Sequence, residues 1–175
     1  MQPLVKKIEA SVISISVQSG IGIIETLSDR DDRKSIVFQV TAETPLMTKD
    51  GQRLGVSAIP VKGEITVYVD SLTPLPMIQP PHVVPLLVIF EQYGKKGEVS
   101  VGVFDDRLFS EQLKLKIHVG SKTEIVDLAG KYVSSERLAG KLLFVFYEKV
   151  TRSMPVQANP TKIIVTDLTG KSITC

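Results

Sequence analysis

Apolar and polar residues alternate along several stretches of this chain. Ile13, Ile15 and Val17 alternate with Ser14, Ser16 and Gln18. Val99, Val101 and Val103 alternate with Glu98, Ser100 and Gly102, and Leu113, Leu115 and Ile117 with Lys114, Lys116 and His118. A period of two places one face on a core and the other in water. The β-branched content of these runs favours strands over helices. Alternation and turn signals together predict two sets of strands. The first set is roughly 8–18, 21–28, 35–42, 63–71 and 84–91, and the second 97–104, 111–119, 123–127, 141–148 and 161–166. The charged runs Asp29 to Lys34 and Asp105 to Arg107 suit hairpin tips, and Asp50-Gly51 suits a tight turn. Ser134 to Ala139 ahead of Gly140 predicts one helical turn, with Ser as the N-cap and Gly as the stop.

The two sets look alike. Thr44 to Gly51 and Thr123 to Gly130 have the same spacing. Gly63 precedes the strand Glu64 to Asp70, as Gly140 precedes Lys141 to Tyr147. A proline-containing bend follows each strand: Thr73-Pro-Leu-Pro-Met-Ile-Gln79 with Pro80 and Pro81, and Thr151-Arg-Ser-Met-Pro-Val-Gln157 ahead of Pro160. Each bend leads into an apolar strand. Anchors recurring in one order at near-constant spacing point to an internal duplication. The predicted domains are 1–92 and 93–175, joined by the short connection 91–97.

A three-strand meander, a short helical or irregular connection and two more strands is the order of an OB-like barrel. The expected fold is therefore all-β: two tandem copies of a small five-stranded, OB-like β-barrel with at most a short helical turn per copy. Closing the sheet would remove the free edges that a small all-β unit must protect. The Thr151 to Gln157 bend and its following strand resemble tandem small β-domains in poorly characterised proteins of Gram-positive bacteria. The first copy departs from that motif, since Leu75 stands where the Ser would and the prolines shift to Pro76, Pro80 and Pro81. The resemblance implies the architecture and brings no activity with it.

Composition narrows the function classes. The 175 residues are 43% hydrophobic and 23% charged, which fits a globular chain. The 21 basic and 19 acidic residues leave a net charge of +2, so the total charge gives no case for nucleic acid. With no Trp and 6% aromatics, a base-stacking platform is not expected. No apolar run has the length of a membrane span; the longest, Val83 to Phe90, contains Pro85 and suits a buried strand. The start, Met1-Gln-Pro-Leu-Val-Lys-Lys, lacks the apolar core of a signal peptide, so at face value the chain is cytoplasmic. A removed export signal would make it extracellular.

No catalytic constellation emerges. His82 and His118 stand far apart, and Cys175 is the sole cysteine, so neither a metal site nor an intramolecular disulfide is expected. Arg30 and Arg33 interleave with Asp29, Asp31 and Asp32, unlike a calcium loop. Gly20-Ile-Gly22 lacks the Lys-Ser/Thr of a phosphate loop, and no nucleophile elbow is present. No catalytic residue, metal or cofactor is assigned.

The two bends are the candidate contact surface. Its residues are Met77, Ile78, Gln79, His82, Met154 and Gln157. Proline stiffens the extended backbone beside them, and methionine offers an adaptable apolar contact. The leading expectation is a non-enzymatic structural or protein-binding module, with a protein partner or self-association. The alternatives are OB-like binding of single-stranded nucleic acid or oligosaccharide, and an accessory domain of an enzyme.

Overall fold

The computed structural model describes residues 5–28, 34–70, 80–91, 96–148, 150–152 and 154–169. The chain divides into two compact units, the first carried by residues 5–48 and 52–91, the second by residue 96 onward. The secondary structure is all-β, with a single 3₁₀ turn in each unit among the described residues.

The first unit is one 7-stranded sheet in the order β4-β7-β5-β1-β2-β3-β6. Its strands are β1 (Val5–Gln18), β2 (Ile21–Ser28), β3 (Ser35–Val40), β4 (Leu46–Thr48), β5 (Glu64–Asp70), β6 (His82–Val83) and β7 (Leu87–Phe90). β1, β2 and β3 form an antiparallel meander. The β2–β3 hairpin closes with Leu27 opposite Ser35, while its charged tip, 29–33, lies outside the described residues. After β4, Gly51 at φ 89° makes the turn foreseen at Asp50-Gly51. The chain returns through Val56–Ala58, a 3₁₀ turn, to β5.

The second unit has β8 (Glu98–Val103), β9 (Phe109–Ser110), β10 (Leu115–Ile117), β11 (Glu124–Asp127), β12 (Lys141–Tyr147), β13 (Val156–Ala158) and β14 (Lys162–Thr169). They form a 3-stranded sheet, β13-β10-β9, and a 4-stranded sheet, β11-β14-β12-β8. Ser134 accepts a hydrogen bond from Glu136 N at 3.3 Å and caps the 3₁₀ turn Ser135–Arg137, and Gly140 follows at φ 80°.

The sheets are not closed barrels, which corrects the expected barrel. The break falls at the same kind of place in each unit. β6 lies on β3 and β7 on β5, with Val84-Pro85-Leu86 between them. β13 lies on β10 and β14 on β12, with Asn159-Pro160-Thr161 between them. A proline has no N–H to donate, so the ladder stops there. The first sheet ends on β4 and β6, both short and both paired parallel, which limits its exposed edges.

The strand expectations also change, since each unit has seven strands among the described residues where five were expected. The run 111–119 contracts to β10, because Leu108 and Lys114 adopt positive φ (59° and 52°) and turn the chain on either side of β9. In β1, a bulge between Val12 and Ser14 shifts the alternation. Ala10 and Val12 face the core, and Ile13 stands 43% exposed.

Each unit has its own core. In the first, Val12, Phe38, Leu46, Ile59, Ile65, Val67, Val83, Val88 and Phe90 cluster. In the second, Phe104, Ile117, Ile125, Leu138, Leu143, Val145, Ala158, Ile163 and Val165 cluster. Buried Thr26 donates to Ile36 O at 2.9 Å and buried Thr166 to Leu142 O at 2.9 Å. Such bonds offset the cost of burying a hydroxyl.

Candidate functional site

The two bends meet their units through short parallel ladders. In the first unit the candidate residues Met77, Ile78 and Gln79 lie outside the described residues. The described part begins at Pro80. Pro81 is buried and its C=O accepts from Val37 N at 2.9 Å. His82 follows in β6 with its side chain exposed, while Val83 points into the core.

In the second unit the bend is a tied loop. Val150 bridges Ala158. Thr151 N donates to Gln157 O at 2.9 Å, and Gln157 N donates back to Thr151 Oγ1 at 3.0 Å. The crossing strand holds it from outside: Val156 N donates to Lys114 O at 3.2 Å and His118 N to Ala158 O at 2.9 Å. At its tip Met154, joined to Pro155 by a cis peptide bond, is 79% exposed. Val150 at the base is 45% exposed.

A side-chain pair spans each ladder. Gln39 in β3 donates from Nε2 to His82 Nδ1 at 3.2 Å. His118, one residue past β10, donates from Nε2 to Gln157 Oε1 at 2.7 Å. Gln39 and His118 each follow the core residue of their strand, Phe38 and Ile117, and His82 and Gln157 each precede the core residue of theirs, Val83 and Ala158. The two units thus make one contact with the residue types exchanged. The equal Thr-to-Gln spacing matched Gln79 with Gln157, but the ladder register gives that place to His82. Spacing alone could not reveal the Gln39 and His118 partners, because a parallel ladder joins segments distant in sequence.

Each unit also has concave surfaces, one of them lined by His118. In the first unit a cavity of about 340 Å³ is bounded by Val17, Gly22, Val40, Thr41, Arg53 and Val56. In the second, one groove of about 610 Å³ passes Arg107, Lys116, His118 and Glu136, and another of about 390 Å³ passes Lys122, Thr123 and Tyr132. Tyr132, 81% exposed, is an aromatic contact the sequence did not single out. Cations and carboxylates both line the two grooves of the second unit, and Arg53 is the charged residue lining the first cavity.

Two titratable groups depart from ordinary behaviour. At the tip after β8, Asp105 accepts from Phe109 N at 3.0 Å and Arg107 N at 2.8 Å. The Phe109 amide leads in holding its carboxyl below the usual range; the Arg107 amide and the charges of Lys116 and Arg107 add to it. Burial raises the Tyr147 phenol, and its bond to Ser100 Oγ at 2.7 Å works against that rise. Both groups support the fold rather than line a cavity. Among the described residues no three His, Cys, Asp or Glu cluster so as to hold a metal ion, and no helix is long and apolar enough to cross a membrane.

Comparison with protein-family models, with curated proteins and with solved structures found no match to this chain.

Proposed function

We propose that this chain is a non-enzymatic protein-binding module made by duplication of one small OB-like unit. The correspondence of the two cores supports the duplication. Leu46, Ile59, Val67 and Val88 sit in their ladders and turns as Ile125, Leu138, Val145 and Ile163 do in theirs. The turns agree atom for atom. Thr48 N donates to Gln52 O and Asp127 N to Lys131 O, both at 2.9 Å. Thr44 Oγ1 accepts from Thr41 N at 3.2 Å, and Thr123 Oγ1 from Gly120 N at 3.1 Å. Side chains differ at most of these positions, so the likeness lies in backbone and core.

The OB-like outline draws support from the path of the last segment. Residues 82–90 pair first with β3 and then with β5, so the chain itself spans the two flanks of the sheet across Pro85. Residues 156–165 follow the same route between β10 and β12 across Pro160.

The observation that carries the binding role is the loop 150–158. Its ends are tied by backbone bonds while Met154 projects into solvent. A loop whose ends are already fixed loses less entropy on binding, and an exposed methionine adapts to an apolar partner surface. The test is site-specific photo-crosslinking in cells of the source organism, with the crosslinker in place of Met154 and, separately, of Glu111, another exposed residue of the same unit. A discrete protein adduct is expected from position 154 and none from 111. Equal or absent adducts from both positions would overturn the reading.

A further inference from the structure

The first unit carries a hairpin arm that the second lacks. Val12 and Phe104 mark the same place: the C=O of each accepts, at 2.8 Å, from the N–H of a residue just ahead of the unit's fifth strand, Lys62 or Gly140. Ile24 opposite Phe38, and Leu108 accepting from Ile117 N, mark the return to the core. Between those points the second unit uses only Asp105, Asp106 and Arg107. The first runs out along Ser14 to Gln18, turns at Ser19-Gly20 and comes back along Ile21 to Ile23. The second unit closes its core without such an arm, whereas in the first the base of the arm packs Ile15 on the core and pairs Gly22 with Val40.

The arm's outer edge is open. Ser19 and Gly20 have φ of 52° and 80°, the positive pair of a two-residue hairpin turn. The closing pair Gln18–Ile21 is then hydrogen-bonded, and alternation sends the Ser16 amide toward β2 and the N–H and C=O of Ile15 and Val17 to the opposite side. On that side β5 reaches only Val5 to Ser11, and Val12 is taken by Lys62 and Gly63. Among the described residues, Ile15 and Val17 have no backbone partner there. Val17 is 64% exposed.

Exposed edges normally carry lysine, proline or another device against pairing. Ser11 to Ile24, Ser-Val-Ile-Ser-Ile-Ser-Val-Gln-Ser-Gly-Ile-Gly-Ile-Ile, contains no charged residue and no proline. The bulge lies at the arm's base and leaves the edge beyond it regular. Such a strand is self-complementary. Turned antiparallel about Ser16, it sets Ile15 against Val17 and Ser14 against Gln18, with β-branched pairs on one face and polar pairs on the other. No like charges meet, and the contact is isologous and therefore closes as a pair. We propose that the outer edge of Ser14–Gln18 adds, strand to strand, to the same edge of a second copy of this chain.

Sedimentation velocity of the full chain from about 1 to 500 µM tests it, with Val17→Pro and Val17→Lys beside the wild type. Val17→Pro removes an outward N–H and leaves the bonds to β2. Val17→Lys keeps the backbone and puts like charges close together. The wild type should form a concentration-dependent dimer, and each variant should raise the dimer Kd about tenfold or more. Circular dichroism checks folding, and Val17→Lys decides alone if the proline variant unfolds. Met154→Ser should leave the dimer unchanged, which separates this edge from the loop 150–158. A wild type that stays monomeric throughout, as it would if the edge served a different peptide, overturns the proposal. So does a dimer indifferent to the folded Val17 variants.

Discussion

Lys62 and Gly140 share one backbone conformation, φ 72° and 80°, and one bond: Lys62 N donates to Val12 O and Gly140 N to Phe104 O, each at 2.8 Å. An L side chain in the left-handed region costs about 1–2 kcal/mol, and glycine avoids that cost while losing more entropy on folding. Lys62→Gly should therefore stabilise the first unit by about 0.5–1 kcal/mol. Gly140→Ala should destabilise the second by a similar amount, even though no atom stands within 4 Å of the added Cβ. Urea unfolding of the two variants checks the opposite signs.

The same pair marks what spacing could and could not reveal. Gly63 and Gly140 look equivalent in sequence, yet the residue that turns in the first unit is Lys62, one position away. The Asp50-Gly51 turn, the Asp105 tip and the Ser134-capped 3₁₀ turn were legible because each rests on residues with a local conformational preference. The strand class was legible from alternation. The bulge after Val12 was not, since one inserted residue reverses which side chains face inward without altering composition. Strand pairing across Pro85 and Pro160 was also hidden. The first run reads as one strand through Pro85 and the segment ahead of Pro160 reads as a bend, yet each segment pairs with a different strand on either side of its proline. Of the contact surface, the exposure of Met154 was foreseeable, whereas the bonds of His82 to Gln39 and of Gln157 to His118 depend on register.

The exchanged pairs make a direct test of equivalence. If Gln39–His82 and His118–Gln157 do the same work, Gln39→His with His82→Gln should restore a bond that either single change to Ala removes. The Ala variants should cost about 0.5–1 kcal/mol each, as expected for solvent-exposed hydrogen bonds. The exchanged double variant should fall within about 0.5 kcal/mol of the wild type. A double-mutant cycle by chemical denaturation measures the coupling. A coupling energy near zero would mean that the ladders hold without the side chains.

Ile59 and Leu138 end the two 3₁₀ turns and seal the two cores; Leu138 is fully buried and Ile59 nearly so. Truncation to Ala leaves a cavity that surrounding strands fill only in part. Each variant should lose about 2–4 kcal/mol of stability, within the range for buried aliphatic deletions. Substitution of the neighbouring exposed Ser57 or Glu136 by Ala should lose far less. Comparable losses at all positions would show that the turns, rather than their buried ends, hold the units together.

Alkaline stability should depend on Tyr147. Burial raises its folded pKa above the usual phenol value near 10, with Glu98 adding to the rise and Ser100 opposing it. A raised pKa means the folded chain favours the neutral phenol. That contribution is fully present below the unfolded pKa and is lost as pH rises through the folded one. Wild-type stability should therefore fall more steeply above pH 10 than that of Tyr147→Phe, which has no phenol to ionise. At acid pH the sign reverses for Asp105, whose folded pKa lies below that of the unfolded chain. Its contribution is present above the unfolded carboxylate pKa and is lost as pH falls through the folded value. Asp105→Asn should flatten the acid limb and leave the alkaline limb unchanged, and Tyr147→Phe should do the converse. Thermal melts of both variants across pH 3 to 11 separate the two effects, and parallel curves for variant and wild type on either limb would refute the assignment there.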